Sequence, residues 1–240
     1  HPDTLWAMNS LAASYFEAGR NKDAIALWEE AVTVGRTVLG PKHTETLRYM
    51  NNLAGSYFEA GRAAEALALQ EDVLTLRREV LGPEHDDTLS AMDMAAAACT
   101  KDGHNDRALE LRQELLQVLQ KKKGLKHPDT LKAMNALAFS LADAGCKDDA
   151  IEMQERVWTL SREVRGSKDP DTLWVMIGLA SGYRDNGRLD QAIRLGQSCI
   201  ELFREVAGPE HPSTLNAMTE LAISYQVAHR LDEADRKSVV

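Results

Sequence analysis

The sequence predicts an all-α fold, an α-solenoid of tandem antiparallel helical hairpins, on three observations. Thr-Leu recurs at Thr4-Leu5, Thr46-Leu47, Thr88-Leu89, Thr130-Leu131, Thr172-Leu173 and Thr214-Leu215, a step of 42 residues without drift. Two further columns keep that step: Met8, Met50, Met92, Met134, Met176 and Met218, and Ala24, Ala66, Ala108, Ala150, Ala192 and Ala234. Within each step, two apolar runs at three- and four-residue spacing flank a glycine, the pattern of two helices joined by a turn. A lone hairpin cannot bury its apolar side, so a period of this length means stacking of neighbours.

In the first unit Leu5, Met8, Leu11, Ala12 and Tyr15 make one apolar face of a first helix, helix A. Pro2 and Asp3 suit its first turn: proline lacks an amide that would be orphaned there, and an acid meets the positive end of the dipole. Gly19, which returns as Gly61, Gly103, Gly145 and Gly187, ends the helix, and His229 stands at that position in the sixth unit. Helix B follows, with Ala24, Leu27, Ala31, Val34 and Val38 as its apolar stripe and Ala66, Leu69, Val73, Leu76 and Val80 as the counterparts one unit on. It is the longer helix, stopped by Gly40-Pro41, Gly82-Pro83 and Gly208-Pro209. Small residues at Ala12 and Ala24 let the two helices approach closely, with Met8 and Tyr15 filling the space beside them.

These units read as one domain over 1–240, with repeats at 1–42, 43–84, 85–126, 127–168, 169–210 and a truncated 211–240 that stops halfway through its helix B. The expectation is a fragment of a longer protein. The third unit, with Ala95 and Cys99 where others carry leucine and tyrosine, buries less apolar surface and is the candidate hinge.

A formal charge of −9 disfavours a nucleic-acid scaffold, and no apolar run is long enough for a membrane span. The one basic run, Lys121, Lys122, Lys123 and Lys126, falls at a helix end, where cations complement the dipole. Cys99, Cys146 and Cys199 have neither metal-ligand spacing nor an even count, so Cys99 and Cys199 read as small buried hydrophobes of a reducing, cytoplasmic setting. His1, His43, His85, His127 and His211, with Asp169 in the remaining unit, hold one loop position. Helices pack about 8–10 Å apart whereas zinc needs ligands at about 2.0–2.3 Å, so this column reads as a helix-entry signal. With no phosphate-cradling, zincin or nucleophile-elbow motif, neither a cofactor, nor a metal, nor catalysis is expected.

The series Met8, Leu11, Ala12, Tyr15, Gly19, Ala24 and Ala31 resembles the tetratricopeptide signature, lengthened to 42 residues. The HPDTL around Thr4-Leu5, the MNNLA of Met50 to Ala54 and the connector from Val80 to His85 resemble the kinesin-light-chain class of these repeats. The array is most similar to those at the C-terminal end of NLR-like, nucleotide-binding STAND-type proteins of fungi and bacteria. The resemblance implies a right-handed superhelix whose A helices line an inner groove for a protein or peptide. Projected onto this chain, the groove residues are Trp6, Asn9, Phe16, Arg48, Asn51, Phe58, Asp93, Lys132, Asn135, Phe139, Trp174 and Arg184. The asparagine column Asn9, Asn51 and Asn135 would contact the peptide backbone, and Asp93, Ile177 and Thr219 interrupt it. The implied function is a ligand-sensing or interaction segment of an NLR-like signalling protein. A kinesin-light-chain-type cargo adaptor is the alternative, and end-to-end self-assembly a reading of another class.

Overall fold

Why each 42-residue step becomes two helices is visible at its boundaries, in a computed structural model that describes residues 2–238, with side chains over 3–229. Among the described residues there are eleven α-helices and no strand. The chain forms two compact units, His1–Val118 and Leu119–Val240. The first holds α1 (Pro2–Glu17), α2 (Asn21–Val38), α3 (Thr44–Glu59), α4 (Ala63–Leu81), α5 (Asp86–Lys101) and the start of α6 (Asn105–Lys123). The second holds the end of α6, then α7 (Pro128–Asp143), α8 (Lys147–Arg165), α9 (Pro170–Asp185), α10 (Leu189–Val206) and α11 (Pro212–Ser238). Odd-numbered helices are the A helices and even-numbered ones the B helices. In each unit an A helix packs on its own B helix, and that B helix packs on the next A helix. The unit boundary falls within α6, helix B of the third repeat.

The recurring Thr-Leu has a mechanical basis that periodicity alone does not show. Thr88 Oγ1 donates to the Gly82 carbonyl (2.8 Å), Thr130 Oγ1 to that of Gly124 (2.8 Å) and Thr214 Oγ1 to that of Gly208 (2.7 Å). Each of these three threonines is fully buried, so its hydroxyl needs a partner, and it finds one in the connector that ended the preceding helix B, whereas the equally buried Thr46 and Thr172 hydroxyls have none. Of the leucines in this column Leu47, Leu89, Leu131 and Leu173 are buried as well, whereas Leu215, beside Thr214, is exposed.

The histidine column is the helix entry its spacing implied. His43, His85, His127 and His211 each accept, through Nδ1, the backbone N–H two residues on, at 3.1–3.2 Å. Asp169 does the same with Oδ1, taking the N–H groups of both Asp171 and Thr172. His127→Ala is therefore expected to cost about 0.5–2 kcal/mol in urea unfolding, with His127→Asp recovering most of the loss.

Buried columns follow the repeat. Met50, Met92, Met134 and Met176 are buried, as are Ala54, Ala96, Ala138 and Ala180 and, on helix B, Ala66, Ala108, Ala150 and Ala192. Cys99 and Cys199 are buried free thiols, and burial pushes Cys199 up to about 12, while Cys146 is exposed at the start of α8. The A helices α1, α3, α5, α7 and α9 have 16 residues and the B helices 18 or 19, so helix B is the longer.

Three expectations are corrected. The buried stripe of α2 is Ala24, Ile25, Trp28, Ala31, Val32 and Gly35, whereas Leu27 and Val34 are half-buried and Val38 and Val80 exposed. A helix B faces two A helices at once, which turns its contact stripe, and its extra length carries the last turn past its shorter partners. Leu11 is 47% exposed because its column packs toward a preceding repeat, and none precedes it among the described residues. The sixth repeat shows no second helix: α11 runs unbroken from Pro212 to Ser238, through the place where five earlier copies turn. Gly145 makes that turn at φ +84°, a conformation that costs a residue with a Cβ. His229 in its place remains helical.

Candidate functional site on the A helices

The A helices expose what their B partners do not cover. In the second unit α7 carries Lys132, Asn135 and Phe139 one turn apart, and Trp174 stands near the start of α9. These four line a single recess of about 340 Å³ whose floor includes Val157, on α8. Phe139 and Trp174 are 46% and 45% exposed, unusual for aromatics in a chain with a packed core on the other side of the same helices. Trp174 is held by an edge-on contact with Phe203, ring centroids 6.1 Å apart, so its ring is placed before any ligand arrives. Lys132 and Asn135 make no hydrogen bond or ion pair to another described residue. Arg165 and Asp171 at the rim pair with each other. The recess thus offers two aromatic walls, one uncommitted ammonium and one uncommitted amide.

In the first unit Phe16 and Phe58 share a smaller recess of about 250 Å³ with Gly55, Gln70 and Met94. Phe16 tilts against Trp28 at 6.0 Å, and the Lys101 ammonium lies 5.6 Å from the Phe58 ring centre.

The other expected residues line neither recess. Trp6 is 62% exposed. Asn9 Oδ1 accepts from Trp28 Nε1 (3.0 Å) and Asn52 Nδ2 (2.9 Å), which ties three helices together and leaves its carbonyl occupied. Arg48 pairs with Glu45 on its own helix. Asn51 is half-buried and its Oδ1 has no partner. Asp93 is open to solvent, yet surrounding protein raises its carboxyl above the usual range, an effect that the charge of Arg112 only partly offsets. Arg184 bonds Glu220 (2.7 Å), to which Ser181 also donates (3.0 Å), so α9 and α11 are riveted there. The Arg184 hydrogen bond holds the Glu220 carboxyl below its ordinary range, and this tie is lost as pH falls through that depressed value.

Sequence reasoning missed Gln70 and Met94 as lining residues. The available signal was a glutamine inside the apolar stripe of helix B. The basic run serves structure: Lys123 bonds Asp129 (2.7 Å) and Lys126 bonds Glu163 (3.1 Å). Among the described residues no group of three or more His, Cys, Asp or Glu could hold a metal, and no helix is long and apolar enough to cross a membrane.

Paired helices repeating at 42 residues, latched at three of the connectors and open on one helix face, define a helical-repeat scaffold of the kind that serves protein interaction. The chain belongs to the tetratricopeptide-repeat family, whose sequence model matches residues 3–78, 49–121, 129–205 and 171–236. A kinesin-light-chain-like protein of Podosopora anserina, built of nearly identical TPR-like repeats, is 26% identical with a TM-score of 0.79, over 86% of this chain and 98% of that one. BtubC (BKLC) of P. vanneervenii shares the fold at 21% identity and a TM-score of 0.72, over 88% of this chain and 85% of that one. A Rap protein solved with competence and sporulation factor shares it at 12% identity and a TM-score of 0.63, over 97% and 70%. No curated protein matches the chain in sequence.

Proposed function

We propose that the chain is a non-catalytic scaffold that holds a protein or peptide segment against its A helices, as the recognition segment of a larger signalling protein. The observation that carries this is the second-unit recess, where Phe139 and Trp174 stand exposed beside the uncommitted Lys132 and Asn135. Large rigid side chains gain contact area at low entropic cost, and one free cation with one free amide supplies orientation. A segment with an apolar anchor and a nearby acidic or carbonyl group fits that set.

The test is a phage-displayed peptide library panned on the whole chain. Phe139→Ala with Trp174→Ala is expected to weaken capture of the selected peptides by at least about thirtyfold, the effect of losing a hot spot. Unchanged capture by a folded double variant would move the binding surface elsewhere.

An NLR-like host rests on the sequence resemblance, and a nucleotide-binding module upstream in the full reading frame would support it. The likeness to a kinesin-light-chain-like repeat protein favours a cargo adaptor as the second reading, and an upstream heptad coiled coil would decide for that. The exposed Leu215, Met218 and Tyr225 of α11 are where end-to-end self-association would begin, and sedentation of the chain as a monomer at high concentration would exclude it.

A further inference from the structure

Five glycines lie inside helices, and at three of them, Gly35, Gly182 and Gly196, a neighbour leaves too little room for a Cβ, while Gly178 has one at ordinary contact distance. A Cβ on Gly35 would come within 3.2 Å of Thr46, one on Gly196 within 3.2 Å of Leu221 and one on Gly178 within 3.6 Å of Phe139, while one on Gly182 would collide with Gln154. A Cβ on Gly55 would meet nothing within 4 Å. Glycine weakens a helix interior, and no packing demand in the fold requires it at this point in α3. What its missing side chain does is keep the first-unit recess open, since Gly55 lines it.

The same recess contains a second unexplained feature. Gln70 lines it while only 2% exposed, and its Oε1 has no hydrogen-bond partner. Its Nε2 is turned to Met94 Sδ, a weak acceptor at 3.9 Å. Burying a carbonyl without a donor is unfavourable. The rest of the lining is apolar apart from Glu59, with Phe16, Phe58, Met94 and Ala97 among it. Gln154, at the corresponding place in the second unit, also has an unpartnered Oε1, but Gly182 lies directly against it and it opens onto no described recess.

We propose that the first-unit recess is a specificity pocket for an apolar side chain that ends in a neutral hydrogen-bond donor, with Gln70 Oε1 as the acceptor and Gly55 as the gap that admits it. This deepens the scaffold reading and rests on it, since the side chain would belong to the bound partner. An apolar body satisfies the walls, and the donor at its tip satisfies the buried Gln70 oxygen that this recess leaves unmatched. A side chain with no donor would fill the space and leave Gln70 unsatisfied. A charged tip would lose its hydration for a single neutral acceptor.

The test uses the whole chain with methyl-labelled methionines, because Met94 touches Gln70 and reports on the recess while Met134 and Met176 report on the second unit. The probes are indole and 1-methylindole, which differ in one N–H. The expected result is a shift of the Met94 methyl with both, indole binding about two- to tenfold more tightly, as one hydrogen bond provides. Gln70→Met, which keeps the volume, should abolish that preference, and Gly55→Leu should abolish the Met94 response with the fold intact. Equal affinity for the two probes, or a preference that survives Gln70→Met, overturns the proposal. A silent Met94, with peptide capture still dependent on Phe139 and Trp174, overturns this proposal alone and leaves the scaffold reading standing.

Discussion

Met134→Ala should lower the unfolding free energy by about 2–5 kcal/mol, whereas Asn135→Ala, one residue along α7, should change it by less than about 0.5 kcal/mol. Met134 is wholly buried, so truncating it leaves a cavity that helices fixed by their neighbours close only in part. Asn135 is half-buried on the recess side and makes no bond to another described residue. Its loss should appear in peptide capture instead. Denaturant titration of both variants, followed by far-ultraviolet circular dichroism, checks the pair. Similar losses from the two would mean that α7 does not divide into a core side and a binding side.

Overpacking gives the second large effect. Ala138 on α7 and Ala150 on α8 are buried at 0% and 3% exposure, at the columns where helices A and B approach. Ala138→Leu or Ala150→Leu should each cost about 1–3 kcal/mol, because added methylenes force side chains from their preferred rotamers or push the helices apart. Ala142, four residues after Ala138 and exposed, is the control, and Ala142→Leu should leave the unfolding free energy within about 0.5 kcal/mol of the parent. A midpoint unmoved by Ala138→Leu would remove the close approach from the account of this fold.

What could be read from the chain follows from which interactions are local. Met134, Ala138 and Ala150 recur at fixed spacing because each occupies the same kind of contact in every repeat, so periodicity alone identifies them. The glycine turns and histidine caps act within a few residues of themselves and are legible for the same reason. The stripe of helix B was misjudged because the side that becomes buried depends on two partners, and the second belongs to the next repeat. Asn9 shows the same limit: its place in the column was plain, but its bond from Trp28, 19 residues away, depends on how α1 and α2 meet. At the candidate site, Lys132, Asn135, Phe139 and Trp174 could be named individually from the repeat. That they share a recess while Trp6 and Arg184 stand apart from it depends on distances between helices. That Gly55 has no packing role depends likewise on what surrounds it in three dimensions.

The threonine-to-glycine latch constrains how such a chain can change in length. Each latch joins a hydroxyl to a carbonyl six residues earlier, Thr130 to Gly124 for example, and so depends on nothing outside its own connector. Genetic exchange between mismatched copies, if it removes or adds one whole 42-residue step, rejoins one working connector to another and needs no compensating change. A cut of any other size pairs the tail of one connector with the wrong head and puts the buried columns on its two sides out of register. Families of chains differing by whole steps are therefore the readily accessible variants of this protein, and single-residue insertions in the connectors the ones selection should remove.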